Sequence, residues 1–184
     1  MSGLEILAEA QRLRQPRVVE SLLAPDFVQA CTESLADEHL FTDELVTMRR
    51  LGVHHNGHLT YPNSLQSFHE LRAQGHGFIV LSIDRISEQA NGLRRTVAER
   101  LVGDIVMALY MSEADHSTIR PHYDDRDVLW TQLDGEKRVR LGLDAVPVDM
   151  TPGDALFILR GIPHTAEALS GSRHVCSALQ VDEI

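Results

Sequence analysis

The residues with the clearest chemistry are His122, Asp124 and His164. The first two stand in the run RPHYDDRDVLWTQLDGEKRVRLGL, residues 120–143, and the third closes the run TPGDALFILRGIPH, residues 151–164. Two imidazoles and one carboxylate form the set that binds Fe(II) on one face and leaves coordination positions open. His122 and Asp124 are spaced i and i+2, so alternation along a strand would point both into a barrel mouth. An H-x-D pair alone is common by chance, and the second run strengthens it. There a Pro-Gly-Asp turn feeds an apolar strand and a Gly-Ile-Pro turn delivers His164. Neighbouring antiparallel strands would set His164 beside the first pair. The local charge agrees: His122, Asp124, Asp125 and Asp127 crowd into six residues, and near an interior such groups persist where they are paired or hold a metal.

Lys137 lies thirteen residues beyond Asp124, after a turn at Asp134-Gly135. A hairpin there would return the chain toward the barrel interior, where a cation could neutralise the far carboxylate of a dicarboxylic cosubstrate. Lys137, Arg138 and Arg140 alternate with Val139 and Leu141. Alternation by itself leaves open which cation faces inward.

The elements that must position these residues read as follows. Residues 3–36 carry apolar positions at helical spacing, with breaks at Pro16 and Pro25. LVTMRRLGVHHNG reads as a short strand and a turn. YPNSLQSFHELRAQGHG reads as a helix, capped at Ser64 or Asn63 and stopped at Gly75. FIVLSI is a buried strand, and a helix follows with Ser87 and Glu88 at its start and Gly103 after its end. From residue 104 onward the pattern becomes short strand-like runs divided by turns, which suggests a barrel or sandwich. The expected fold is α+β: a helical extension over residues 1–42 and an antiparallel barrel over 43–184.

At 184 residues the chain suits one domain with a small extension, and its 43% apolar content suffices for a core. No apolar run approaches membrane-spanning length, and no signal-peptide pattern opens the chain. Two cysteines, Cys31 and Cys176, are too few for a disulfide scaffold, so the expected location is the cytoplasm. Cys176 reads as a buried small residue. The net charge of −10 argues against a nucleic-acid partner.

Residues 43–181 resemble the JmjC-type cupin oxygenases of the ribosomal-oxygenase group. The matching pieces are FIVLSIDRIS, RPHYDDRDVLWTQLDGEKRVRL and TPGDALFILRGIPHTAEAL. Leu159 stands where a Pro is usual, and the strand around Ala108 lacks a polar side chain that some members carry. The resemblance implies a double-stranded β-helix with N-terminal helices packed on its sheet. It implies that His122, Asp124 and His164 hold Fe(II), and that Lys137 pairs with the 5-carboxylate of 2-oxoglutarate. It places Tyr110 at a cosubstrate contact. The implied activity is an oxygenase that uses dioxygen and 2-oxoglutarate to hydroxylate an unactivated carbon of an amino-acid side chain in a protein, a peptide or a free amino acid. The competing readings are a cupin dioxygenase that does not use 2-oxoglutarate and a non-catalytic cupin binding module.

Other residues complete the set of expectations. His174 opens the last strand-like run and is a candidate to face the iron site, as is His116. His54, His55 and His58 read as a surface turn. Glu113, Asp115 and Asp125 lie near the mouth and read first as a solvated acidic loop, with reception of a cationic side chain as the alternative. Asp127 would orient a ligand or a cation, Arg160 would anchor the turn before His164, and Trp130 would be core. The expected partner is a small-molecule, peptide or protein substrate, with a homodimer as the alternative to a monomer.

Overall fold

Pro16 decides where the first helix stops. α1 (Gly3–Leu13) opens with a capping box, in which Ser2 Oγ accepts from the Glu5 N–H and the Glu5 carboxylate accepts from the Ser2 N–H. It closes at Arg14 in the left-handed region, φ 54°. The chain then turns extended as β1 (Arg17–Val19) before α2 (Pro25–Ser34) begins with Pro25 in its first turn. The expected helical stretch over 3–36 is therefore helix, strand, helix. Pro16 bars continuation of the helix and the β-branched Val18 and Val19 favour the strand. Two short helices follow, α3 (Asp37–Leu40) and α4 (Asp43–Thr47), then β2 (Leu51–His55), β3 (His58–Thr60), α5 (Leu65–Ala73), β4 (Gly77–Leu81) and α6 (Glu88–Ala98). Ser64 and Ser87 cap α5 and α6, each accepting an N–H of the first turn, as their sequences indicate. The remaining strands are β5 (Asp104–Ser112), β6 (Ser117–His122), β7 (Asp127–Asp134), β8 (Lys137–Leu141), β9 (Val148–Met150), β10 (Ala155–Ile158), β11 (His164–Ala168) and β12 (Ser172–Gln180). This computed structural model describes residues 1–55, 58–112, 117–142 and 146–180.

The strands form two antiparallel sheets, an α+β double-stranded β-helix as the sequence suggests. The larger runs β1-β10-β7-β12-β5-β4-β2-β3 and the smaller β6-β11-β8-β9. The larger sheet is covered on both faces. Leu109, Leu129, Val175 and Phe157 look outward to a core shared with Leu7, Leu35, Phe68, Leu93 and Val97 of the helices. Val128, Trp130, Leu156 and Ile158 look inward and meet Val139, Met150 and Ala166 of the smaller sheet. This double cover explains why β7 is buried at every position except its last, Asp134, since a strand covered on both faces loses the polar alternation of a half-exposed one.

Two expectations change here. β7 and β8 are not a hairpin, because they lie in different sheets and Asp134-Gly135 is the corner between them. Gly135 has φ +64°, and a Cβ there would collide with the Gly171 carbonyl oxygen. The Gln132 side-chain amide donates to the carbonyls of Asp134 (2.7 Å) and Gly135 (3.1 Å) and to Ser172 Oγ (2.9 Å), which fixes the corner. The N-terminal residues are also stitched into the large sheet. β1 pairs with β10, the Ser21 N–H donates to Asp154, and Arg173 of β12 reaches the Leu35 carbonyl and Asp37. Among the described residues no helix is long and apolar enough to cross a membrane.

Candidate metal and cosubstrate site

β6 and β11 are antiparallel neighbours with His122 directly opposite His164. Register alone therefore sets the two imidazoles side by side, with ring centroids 4.3 Å apart. Asp124 arrives differently from the sequence expectation. β6 ends at His122, so Asp124 lies in the link to β7 rather than on a strand with His122. Its carboxylate still reaches both rings, with Oδ1 3.8 Å from His122 Nε2 and Oδ2 3.5 Å from His164 Nε2. The link is tied to the turn before His164, where the Gly161 N–H donates to the Asp124 carbonyl at 2.9 Å. Buried Asp127 adds a second tie: one oxygen accepts the Arg160 N–H at 2.9 Å and the other accepts from Arg14 at 2.6 Å. Both secondary expectations, Asp127 as an orienting group and Arg160 at the turn, thus have a contact behind them.

One donor atom from each of His122, Asp124 and His164 lies within 4.8 Å of the others. His164 Nδ1 lies 3.0 Å from the Ile162 carbonyl. A carbonyl only accepts, so Nδ1 carries the hydrogen and Nε2 presents its lone pair. That Nε2 is buried without a hydrogen-bond partner, and the 3.5 Å approach of Asp124 is too long to be one. Burial, and then the nearby His122, hold the His164 imidazole below its usual pKa, which favours the neutral ligand form. A buried lone pair, a second imidazole and a carboxylate around one point suit a divalent transition-metal ion.

A second cluster lies on the inner face of the large sheet. Lys137 opens β8 and is 0% exposed, with Nζ 2.7 Å from His174 Nδ1. His174 pairs with Tyr110 across β12 and β5, and their rings stack at 5.1 Å. Trp130 bridges the two clusters, its ring 4.9 Å from His174 and 5.2 Å from His164. Of the cations that alternation left undecided, Lys137 faces inward, while Arg138 pairs with Asp149 on the outside. Cys176 also faces this interior, where burial pushes its thiol up to about 12, consistent with an inert packing residue.

Sequence reasoning missed His54. It reads as part of a surface turn, but β2 places it half-buried with its ring 5.8 Å from Tyr110 and its Nε2 enclosed. Burial and then His122 lower its pKa. The usable signal was alternation: Leu51 and Val53 face the helices, so His54 must face the barrel. His58 is exposed, and Asp125 is exposed at the ligand link. Glu113, Asp115 and His116 lie outside the described residues. A cavity of about 700 Å³ has none of His122, Asp124 and His164 in its lining. It abuts their link and is lined by Arg12, Arg14, Arg100, Arg126, Arg160 and Asp127 among others. The mouth region thus carries both signs of charge.

The description "JmjC domain" matches residues 85–149 of this chain. Ribosomal oxygenase 2 of Rattus norvegicus is 37% identical over 93 residues, covering 40% of this chain and 19% of that protein. The Mus musculus protein of the same name is 36% identical over 90 residues, covering 39% and 19%. Among solved structures, the ribosomal oxygenase YcfD of Escherichia coli in complex with cobalt and 2-oxoglutarate is 20% identical with a TM-score of 0.65, covering 92% of this chain and 49% of that one. Its complex with cobalt and succinic acid superposes at 0.66. The chain thus spans about half the length of those structures and about a fifth of the curated relatives. The structural matches support the double-stranded β-helix, and the chain resembles the JmjC-type cupin oxygenases of the ribosomal-oxygenase group, as its motifs imply.

Proposed function

We propose that this barrel is an Fe(II)- and 2-oxoglutarate-dependent oxygenase that hydroxylates an amino-acid side chain of a protein or peptide. The observation that carries the reading is the converging set of His122, Asp124 and His164, with a buried cation, Lys137, lining the same barrel interior. The JmjC match over residues 85–149 spans two of the three ligands and Lys137. The relatives and the YcfD complexes supply the chemical context.

In this reading His122, Asp124 and His164 hold the metal. The ion, with 2-oxoglutarate and dioxygen, supplies the oxidising power to insert oxygen into an unactivated C–H bond while the cosubstrate is converted to succinate and carbon dioxide. The chain's own work is positioning. The Ile162 carbonyl fixes the His164 tautomer, and the Asp127 ties fix the approach of the turn that carries it. Lys137 receives the remote carboxylate of the cosubstrate in a buried site, and Tyr110 and His174 wall that end. Trp130 fills the space between the two ends and keeps it dry. A cationic side chain would meet Asp125 at the rim.

Succinate release tests this directly, in a reaction with Fe(II), 2-oxoglutarate and a panel of basic, neutral and acidic peptides. Turnover is expected in the wild type, lost in Asp124→Ala and retained in Asp125→Asn. Equal turnover in Asp124→Ala and wild type, or none in the wild type with any peptide, overturns the proposal. Lys137→Ala distinguishes a cupin dioxygenase without 2-oxoglutarate, in which metal binding and turnover would both survive the change.

A further inference from the structure

The partner of the buried Lys137 Nζ is an imidazole nitrogen. Nζ lies 2.7 Å from His174 Nδ1, and both side chains are within 1% of full burial. Among the described residues no carboxylate forms a hydrogen bond or ion pair with Lys137. The other groups facing the pair are Cys176 of β12, Tyr110 of β5, and Trp130 and Gln132 of β7, with Ala168 and Met150 flanking Lys137 in the small sheet. The acid bearing on this region is Asp124, which acts on Tyr110 and Cys176. Glu136, next in sequence, is exposed.

His174 is clamped between Tyr110 at 5.1 Å and Trp130 at 4.9 Å, so its ring is held in place. With Nδ1 accepting from the amine, Nε2 carries the hydrogen, and that atom is buried without a partner. The arrangement holds a buried amine in a fixed place beside an imidazole.

We propose that His174 is a positioning residue that aims the Lys137 amine, and that the pair makes cosubstrate binding proton-coupled: the remote carboxylate of 2-oxoglutarate enters together with one solvent proton, which converts the amine to the ammonium that pairs with it. This rests on the cosubstrate reading above and extends it. The balance is simple: amine, proton and carboxylate become ammonium carboxylate, with no bond to carbon made or broken. A standing ammonium in this enclosure lacks a counter-charge, whereas a carboxylate beside it in low dielectric makes the charged form the stable one. Burial pushes Lys137 down to about 7 in the free protein. Below that value the ammonium is already present. Above it a proton must be drawn in, so affinity for 2-oxoglutarate falls as pH rises, approaching roughly tenfold per pH unit.

The test is calorimetry of 2-oxoglutarate binding to the Mn(II)-saturated protein without oxygen, in pairs of buffers with different ionisation enthalpies. Mn(II) keeps the metal ligands deprotonated and 2-oxoglutarate is a dianion throughout, so any proton taken up belongs to the pair. Uptake is expected near zero about one pH unit below 7 and to approach one proton about one to two units above it. His174→Phe keeps the ring packing but removes the acceptor. It is expected to bind Mn(II) normally, bind 2-oxoglutarate about tenfold more weakly near neutral pH, and keep kcat at saturating cosubstrate within about twofold. His174→Asn, whose side-chain oxygen can accept in place of Nδ1, is expected to recover most of the affinity. Cosubstrate binding with no proton uptake at any pH, or a His174→Phe protein matching wild type in affinity and pH slope, overturns the inference while leaving the oxygenase reading intact. Failure of the wild type to bind 2-oxoglutarate at all overturns the oxygenase reading and the inference with it.

Discussion

Lys137 and His164 are both buried polar residues, and they should respond to mutation in opposite ways. Among the described residues Lys137 has no carboxylate partner, so Lys137→Met replaces a poorly matched charge with a side chain of similar shape. Stability is expected to rise by about 1–3 kcal/mol near neutral pH, read by urea unfolding, while 2-oxoglutarate affinity is lost. The pH dependence follows from the depressed folded-state value. From about 7 to the ordinary 10.5 the unfolded chain binds a proton that the folded one does not. The Lys137 contribution therefore favours folding increasingly as pH rises through that window, and the Met variant lacks this slope. His164→Ala removes a proposed metal ligand and is expected to weaken Mn(II) binding by more than ~100-fold with loss of turnover, measured by metal titration. The triad was suggested in the sequence by the two runs taken together, whereas Lys137 was singled out from Arg138 and Arg140 only by the resemblance to the ribosomal-oxygenase group. The Lys137–His174 contact was not, because it depends on two strands in different sheets facing each other. His54 was hidden by the turn residues beside it.

At the scale of elements, the geometry depends on one link and one corner. Asp127 ties the Asp124 link to the turn that carries His164, and Asp127→Ala leaves the Arg160 N–H without its acceptor. It is expected to cost about 1–3 kcal/mol in unfolding free energy and to weaken Mn(II) binding by about 10–100-fold, although Asp127 itself is not a ligand. Arg14→Ala should do much less, because half of that side chain is already in solvent. Gly135→Ala places a methyl against the Gly171 carbonyl in a left-handed backbone, and a loss of about 2 kcal/mol or more is expected by thermal unfolding. That loss would be accompanied by weaker 2-oxoglutarate binding, because Lys137 follows two residues later. The sequence marks Asp134-Gly135 as a turn, but turn chemistry is the same whether the chain returns along the same sheet or crosses to the facing one. That is why a hairpin was expected where the structure has a corner. Asp124 shows the same limit: H-x-D spacing is compatible with a strand, and the break after His122 comes from the crossover to β7.

For the whole molecule, the N-terminal residues are part of the architecture that carries the site. α1 and α2 cover the large sheet, β1 extends it, and Arg14 reaches Asp127. A chain limited to residues 43–184 is expected to bind a hydrophobic dye and lose near-ultraviolet dichroism, because the outer face of β7, β12 and β10 would be bare. Retention of a native-like spectrum and full metal affinity by that chain would show the cover to be dispensable. Helical periodicity in the N-terminal third was readable, but a three-residue strand is below what periodicity can register, so β1 and its coupling to the barrel were not. A last consequence concerns the line of rings from His54 through Tyr110, His174, Trp130 and His164 to His122. Trp130 is the sole tryptophan of the chain and lies against His164, a proposed metal ligand, on one side and against His174, the partner of Lys137, on the other. Its emission is therefore a built-in optical gauge of the site: a paramagnetic ion held by His164 should quench it, and cosubstrate arrival at Lys137 should shift its colour, letting both occupancies be followed without label.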